Sequence, residues 1–148
     1  MKISTKGDYA TRALQDLALH YDEGPIPVDA IAERQSLPVR YLEQLLLTLK
    51  RAGFLMSKRG VNGGYYLAKP PREITLGQVI RAVDGPTVPI YCVADGPREH
   101  CAQESICVLR EVWGDVRDAV SAIVDHVTLE DLCQRVRARS RERVTYQI

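Results

Sequence analysis

Between Ser36 and Lys69 an amphipathic helical pattern runs straight into a glycine-centred hairpin, a junction that few folds accommodate. Ser36-Leu37-Pro38 opens the helix, with proline near its start, where the missing N–H is tolerated. Val39, Leu42, Leu46 and Leu49 recur at three- and four-residue steps and are expected to face the core. Gly53 follows, where a left-handed residue commonly stops a helix. Phe54-Leu55-Met56-Ser57-Lys58 and Tyr65-Tyr66-Leu67-Ala68-Lys69 then flank Asn62-Gly63-Gly64, the pattern of two short strands around a tight turn.

Two helices are expected upstream. Ser4 and Thr5 suit the cap of a first helix to about Tyr21, with Tyr9, Ala13, Leu14, Leu17, Ala18 and Tyr21 on its apolar face. A second is expected at roughly 28–35, with Val28, Ile31 and Ala32 inward. Downstream, Thr75 and Gln78 form a capping box for a helix carrying Leu76, Val79, Ile80 and Val83. Residues 85–104 show no usable period. Leu109, Trp113, Val116, Val120, Ile123 and Val127 then recur as a heptad seam, and Thr128 opens a last helix with Leu129, Leu132, Cys133 and Val136 on one face. The expected fold is mainly α with a small β-hairpin wing. The expected division puts a winged helix-turn-helix over 1–75, and an irregular loop followed by two apolar-striped helices over 76–148.

Charge divides the chain the same way. The net +1 hides eight bases and one acid from Arg34 to Arg72, then four bases and ten acids from Leu76 to Asp131. A tail of Arg135, Arg137, Arg139, Arg141 and Arg143 follows, which by itself reads as a solvated face. The basic block suits a polyanion. With 45% hydrophobic and 26% charged residues, disorder is excluded. Charges recur too often for about 20 apolar residues to span a membrane. The N-terminus has no apolar signal core, so the expected location is the cytoplasm.

In a winged helix-turn-helix the third helix enters the major groove of double-stranded DNA. At about 100° per residue, Arg40, Gln44 and Arg51 fall opposite the apolar side, with Tyr41 and Thr48 at the edge. Arg and Gln side chains read guanine and adenine edges, while Arg51 and Tyr41 equally suit phosphates. Lys58 and Arg59, beside Gly60 at the hairpin tip, suit a narrow minor groove.

Three of the four cysteines, Cys92, Cys101 and Cys107, are spaced C-x8-C-x5-C in the irregular stretch. A disulfide framework does not suit a cytosolic chain, and three clustered thiols point to a metal site, with a redox thiol pair or no special role as the alternatives. Thiolates suit iron–sulfur clusters, which usually take four protein ligands. His100, beside Cys101, is a candidate fourth ligand and would also complete a Cys3His zinc site. Cys133 fits the apolar stripe of the last helix and reads as a core thiol. No nucleotide loop or nucleophile–base pair is apparent, which leaves a redox enzyme or cluster carrier as a remote alternative.

Met1-Lys2-Ile3-Ser4-Thr5-Lys6-Gly7, Tyr41-Leu42-Glu43-Gln44-Leu45, Arg59-Gly60 with Gly63-Gly64-Tyr65, and Val83-Asp84-Gly85 together resemble the Rrf-two family of bacterial winged-helix regulators over essentially the whole chain. The resemblance implies a homodimeric DNA-binding transcriptional regulator, usually a repressor, acting on a palindromic operator, with the helix near 105–126 as the dimer core. It places the positions of Arg40, Tyr41, Glu43, Gln44 and Arg59 at or near DNA. It also implies an iron–sulfur cluster, two-iron or four-iron, on Cys92, Cys101 and Cys107. Such a cluster would sense redox state, nitric oxide or iron–sulfur status. Relatives that sense nitric oxide take a fourth ligand at the position of Asp8 from the other subunit. Read from the residues alone, Asp8 is equally a surface partner of Arg12. A cluster-free repressor controlled by a partner protein, as in the cysteine-metabolism branch, is the alternative.

Overall fold

In the computed structural model of this chain, which describes residues 2–97 and 100–145, the first helix is capped as its sequence requires. The Ser4 hydroxyl accepts from the Gly7 N–H at 3.1 Å, and α1 runs Thr5–Leu19. Helices α2 (Val28–Gln35) and α3 (Val39–Arg51) follow. The hairpin comprises β1 (Leu55–Lys58) and β2 (Gly64–Leu67), antiparallel with Leu55 opposite Leu67 and Lys58 opposite Gly64. Helix α4 spans Leu76–Asp84, α5 Val108–Val124 and α6 Leu129–Thr145. Met1, Arg98, Glu99 and 146–148 lie outside the described residues.

One core serves both halves of the chain. Ala10, Ala13, Leu14, Leu17 and Ala18 on α1 pack with Ile31, Leu42, Leu46 and Leu49, and also with Ile74, Val79, Leu129 and Cys133. The wing is fastened to this body by Ile26, which exchanges two backbone hydrogen bonds with Tyr65, at 2.9 and 2.8 Å. A Cβ on Gly64 would strike the Ile26 carbonyl, so this close approach requires glycine.

Helix boundaries follow the sequence patterns closely, whereas burial departs from them at several positions. Val39 is 38% exposed, whereas Leu45, outside the expected stripe, is buried at 2%. The centre of the buried arc on α3 thus lies nearer Leu45 than the three-four spacing suggests. Tyr21 lies beyond the end of α1, in a 3-10 turn, and is exposed. Val127 falls past α5, where its carbonyl accepts from the Leu76 N–H at 2.8 Å.

Asp16 is the one buried charged residue among those described. It accepts from Arg34 Nε at 2.9 Å, Arg34 NH2 at 2.6 Å and Gln35 Nε2 at 3.1 Å, bolting α1 to the end of α2. The hydrogen bond to Asp16 pushes the Arg34 guanidinium above its ordinary value, against a smaller opposing effect of burial. Asp16→Asn removes the charge from a buried site that keeps its donors. It is expected to cost about 1–3 kcal/mol in urea unfolding, with no change in helix content by circular dichroism.

Candidate nucleic-acid interface and thiol loop

Leu42, Leu45, Leu46 and Leu49 hold α3 against the core, so its opposite face is turned to solvent. Arg40, Tyr41, Glu43, Gln44 and Arg51 are all exposed there. Tyr41 packs edge-on against Tyr9, with ring centroids 5.7 Å apart and planes at 86°. Lys50 donates to the Ser57 hydroxyl at 2.6 Å, which sets the wing against α3. Lys58 and Arg59 stand exposed beyond that anchor, with Val61 at the tip. The expected DNA-facing residues of α3 and the wing are thus all exposed, on two elements joined by the Lys50–Ser57 contact. Leu47, 45% exposed, lies on the same face of α3, off the three- and four-residue stripe of the core leucines.

Three of the thiols follow α4 in the chain. Cys92 sits in a 3-10 turn (Tyr91–Val93), Cys101 is exposed, and Cys107 is the N-cap residue of α5. The Cys107 side chain makes no capping hydrogen bond, so its sulfur is not committed to the helix. Arg110 closes the loop: its Nε donates to the Cys92 carbonyl at 3.4 Å and its NH2 pairs with Glu104 at 3.0 Å. Arg117 NH1 donates to the Val93 carbonyl at 2.9 Å. The two half-buried thiols are thereby drawn to the same end of α5.

Among the described residues, no three or more His, Cys, Asp and Glu side chains are gathered into a metal cage. The donor set nonetheless fits a thiophilic group: three free thiols flank one loop whose ends are hydrogen-bonded together. His100, its side chain 88% exposed, lies 3.7 Å from Glu104. Asp8 lies 3.9 Å from Arg12 NH1, as a surface pair on α1. Cys133 is fully buried, and desolvation pushes its thiol above the ordinary value.

Two sets of polar contacts tie α1 to its neighbours. Asp84, at the end of α4, accepts from the Ser4 backbone N–H at 2.9 Å and from the Ser4 hydroxyl, and so orients the cap of α1. A Cβ on Gly7 would collide with that carboxylate. Arg12, the partner of Asp8, also donates to the Gln35 carbonyl and lies over the Tyr9 ring at 5.9 Å, and Tyr9 in turn holds Tyr41.

An α-helix with a buried apolar side and a polar outer face, set beside a hairpin with a basic tip, defines a winged helix-turn-helix protein. Residues 3–135 match the Rrf2 family, described as iron-dependent transcriptional regulators. The chain is 42% identical over 132 residues to the HTH-type transcriptional regulator CymR of Bacillus subtilis, covering 89% of each. It is 39% identical to IscR of Pectobacterium carotovorum, covering 89% of this chain and 79% of that protein. The solved structure of CymR, the global cysteine regulator of B. subtilis, superposes with a TM-score of 0.76 at 39% identity, over 91% of this chain and 98% of the other. The chain belongs to the Rrf2 family of transcriptional regulators. These relatives are regulators, not enzymes, and no helix among the described residues is long and apolar enough to cross a membrane.

Burial orders the reactivity of the thiols. In metal-free protein, Cys101 is expected to alkylate first, Cys92 and Cys107 more slowly, and Cys133 only on unfolding; peptide mapping after timed iodoacetamide treatment reads the order.

Proposed function

We propose that this protein is a homodimer that binds a palindromic operator through α3 and the wing, usually repressing, and that an iron–sulfur group held by Cys92, Cys101 and Cys107 controls it. The observation that carries the DNA reading is the exposed set Arg40, Tyr41, Gln44 and Arg51 on α3, opposite its packed face, with Lys58 and Arg59 exposed on the adjoining wing. On this reading Gln44 and Arg40 reach base edges, Tyr41, Glu43 and Arg51 frame the groove, and the wing tip enters the adjacent minor groove. The functional division follows 1–75 for reading and 76–148 for sensing and pairing, although α4 and α6 share the core of the reading unit. A regulator of transcription works where the chromosome is, which keeps the cytoplasm as its expected location.

Helix α5 supports the dimer. None of its residues is buried, and Leu109 and Ile123 are 62% and 65% exposed. Leu109, Trp113, Val116, Val120 and Ile123 line one stripe along the helix, an apolar surface that a soluble monomer rarely leaves bare. A twofold partner along this stripe places two copies of α3 on two half-sites.

For the sensor, Cys92, Cys101 and Cys107 would supply soft thiolate ligands and Asp8 of the other subunit an oxygen ligand, which would be the more weakly held. When bound, the group supplies a redox- and ligand-sensitive ion cluster. The chain's own residues carry the consequence. Asp8 engaged in ligation is lost to Arg12, and Arg12 contacts Gln35 and Tyr9 at the head of α3. The description of the family as iron-dependent favours this reading. The 42% identity to CymR, against 39% to IscR, and the uncaged cysteines favour a second one: a cluster-free repressor governed by a partner protein.

Anaerobic purification followed by iron, sulfide and absorption measurements separates the two. Stoichiometric sulfide is expected, with Asp8→Ala changing the spectrum and His100→Ala leaving it unchanged; colourless protein with or without zinc overturns the cluster. Operator affinity is expected to fall steeply with salt. Gln44→Ala is expected to lose about 1–3 kcal/mol of discrimination at one base step, whereas salt-independent binding, or wild-type behaviour of both Gln44→Ala and Arg59→Ala, overturns the interface. Val116→Asp with Val120→Asp is expected to yield monomer in sedimentation and to abolish tight binding. A wild-type monomer at micromolar concentration overturns the dimer.

A further inference from the structure

We infer that Leu47 reads the C5-methyl group of a thymine in the operator and so sets sequence preference at one base step. This rests on the DNA-reading role proposed above for α3. Four leucines of this helix, Leu42, Leu45, Leu46 and Leu49, are at most 2% exposed, and Leu47 alone among the leucines of α3 is left 45% exposed. A single exposed leucine is unremarkable on a protein surface. The position of this one is not neutral. It follows Arg40 by seven residues and Gln44 by three, and precedes Arg51 by four, spacings that put all four on one stripe of the helix. The flanking side chains are the exposed polar groups of the proposed groove-facing surface.

With α3 in the major groove, these neighbours close over Leu47 and remove it from water. The only apolar group that the major groove offers is the thymine methyl; the other edges present donors and acceptors. An adenine, guanine or cytosine edge opposite Leu47 loses its water and gains no hydrogen bond. Leu47 therefore favours thymine and disfavours the rest by the same contact. The axial rise from Gln44 to Leu47 is about 4.5 Å, and base pairs stack about 3.4 Å apart. The thymine accordingly falls one or two steps from the base that Gln44 contacts.

The test uses the full-length protein and a duplex it selects from a random-sequence library. Each thymine is replaced in turn by deoxyuridine, which lacks only the methyl group, and binding is followed by fluorescence anisotropy at fixed salt. At one thymine per half-site the wild type is expected to bind about three- to fivefold more weakly after replacement, the size of one buried methyl contact. Leu47→Ala is expected to bind thymine and deoxyuridine duplexes equally, and Leu47→Met to retain the preference. The inference is overturned if no single replacement affects the wild type, or if Leu47→Ala keeps the full thymine preference. Because those results leave selective DNA binding intact, they stand apart from failure of the DNA-reading role, which would appear as no duplex being enriched at all, and would overturn the Leu47 assignment with it.

Discussion

Four helices approach one side of α1, and they do so because that side is built largely of small residues. Ala10, Ala13 and Ala18 present little bulk, so α2, α3, α4 and α6 all contact the same helix, while Leu14 and Leu17 fill the space between them. Packing of this density transmits displacement rather than absorbing it. The position of α3 toward DNA, the start of the thiol loop after α4, and the docking of α6 through Leu129 and Cys133 are thus all referred to α1.

Polar contacts then fix how α1 lies within that packing. Asp16 grips Arg34 and Gln35 near the C-terminal half of α1, and Asp84 holds the Ser4 cap at its beginning. The second contact joins the segment that leads into the cysteines to the turn that carries Asp8. Farther along the same helix Asp8 pairs with Arg12, Arg12 lies over the Tyr9 ring, and Tyr9 packs against Tyr41 of α3. Helix α5 takes little part in this network. Its seat on α4 includes the Arg81–Asp125 ion pair at 2.5 Å, and a cavity of about 320 Å3 remains between Ile3, Ile80, Val120 and Val124. The same helix carries the exposed apolar stripe on which the proposed dimer rests.

Opposite charges are sorted to match. Basic residues accumulate on α3 and the wing, and acidic ones from the loop after α4 through α5 to the start of α6. The acidic half repels a polyanion, which leaves one orientation for DNA approach. The arginines of α6 continue beyond the packed part of that helix, where Arg137 pairs with Glu130 at 3.6 Å and Arg139 and Arg143 are exposed.

Periodicity, caps and glycine-bearing turns are local properties, and the sequence by itself determined them: the bounds of α2, the Thr75–Gln78 capping box, the hairpin and the heptad stripe all stand where the pattern puts them. Residue type likewise marked out Arg40, Gln44 and Arg59, and the three loop cysteines, as a candidate site. Tertiary structure decided which leucine of α3 is buried and which stays bare, that Lys50 is taken up by Ser57, and that Arg110 closes the thiol loop onto Cys92. It alone brought Ser4 to Asp84, 80 residues away. The physical reason is that a helical or strand repeat fixes only the direction in which a side chain leaves the backbone. What it meets there depends on how elements distant in the chain pack together, and no local pattern records that.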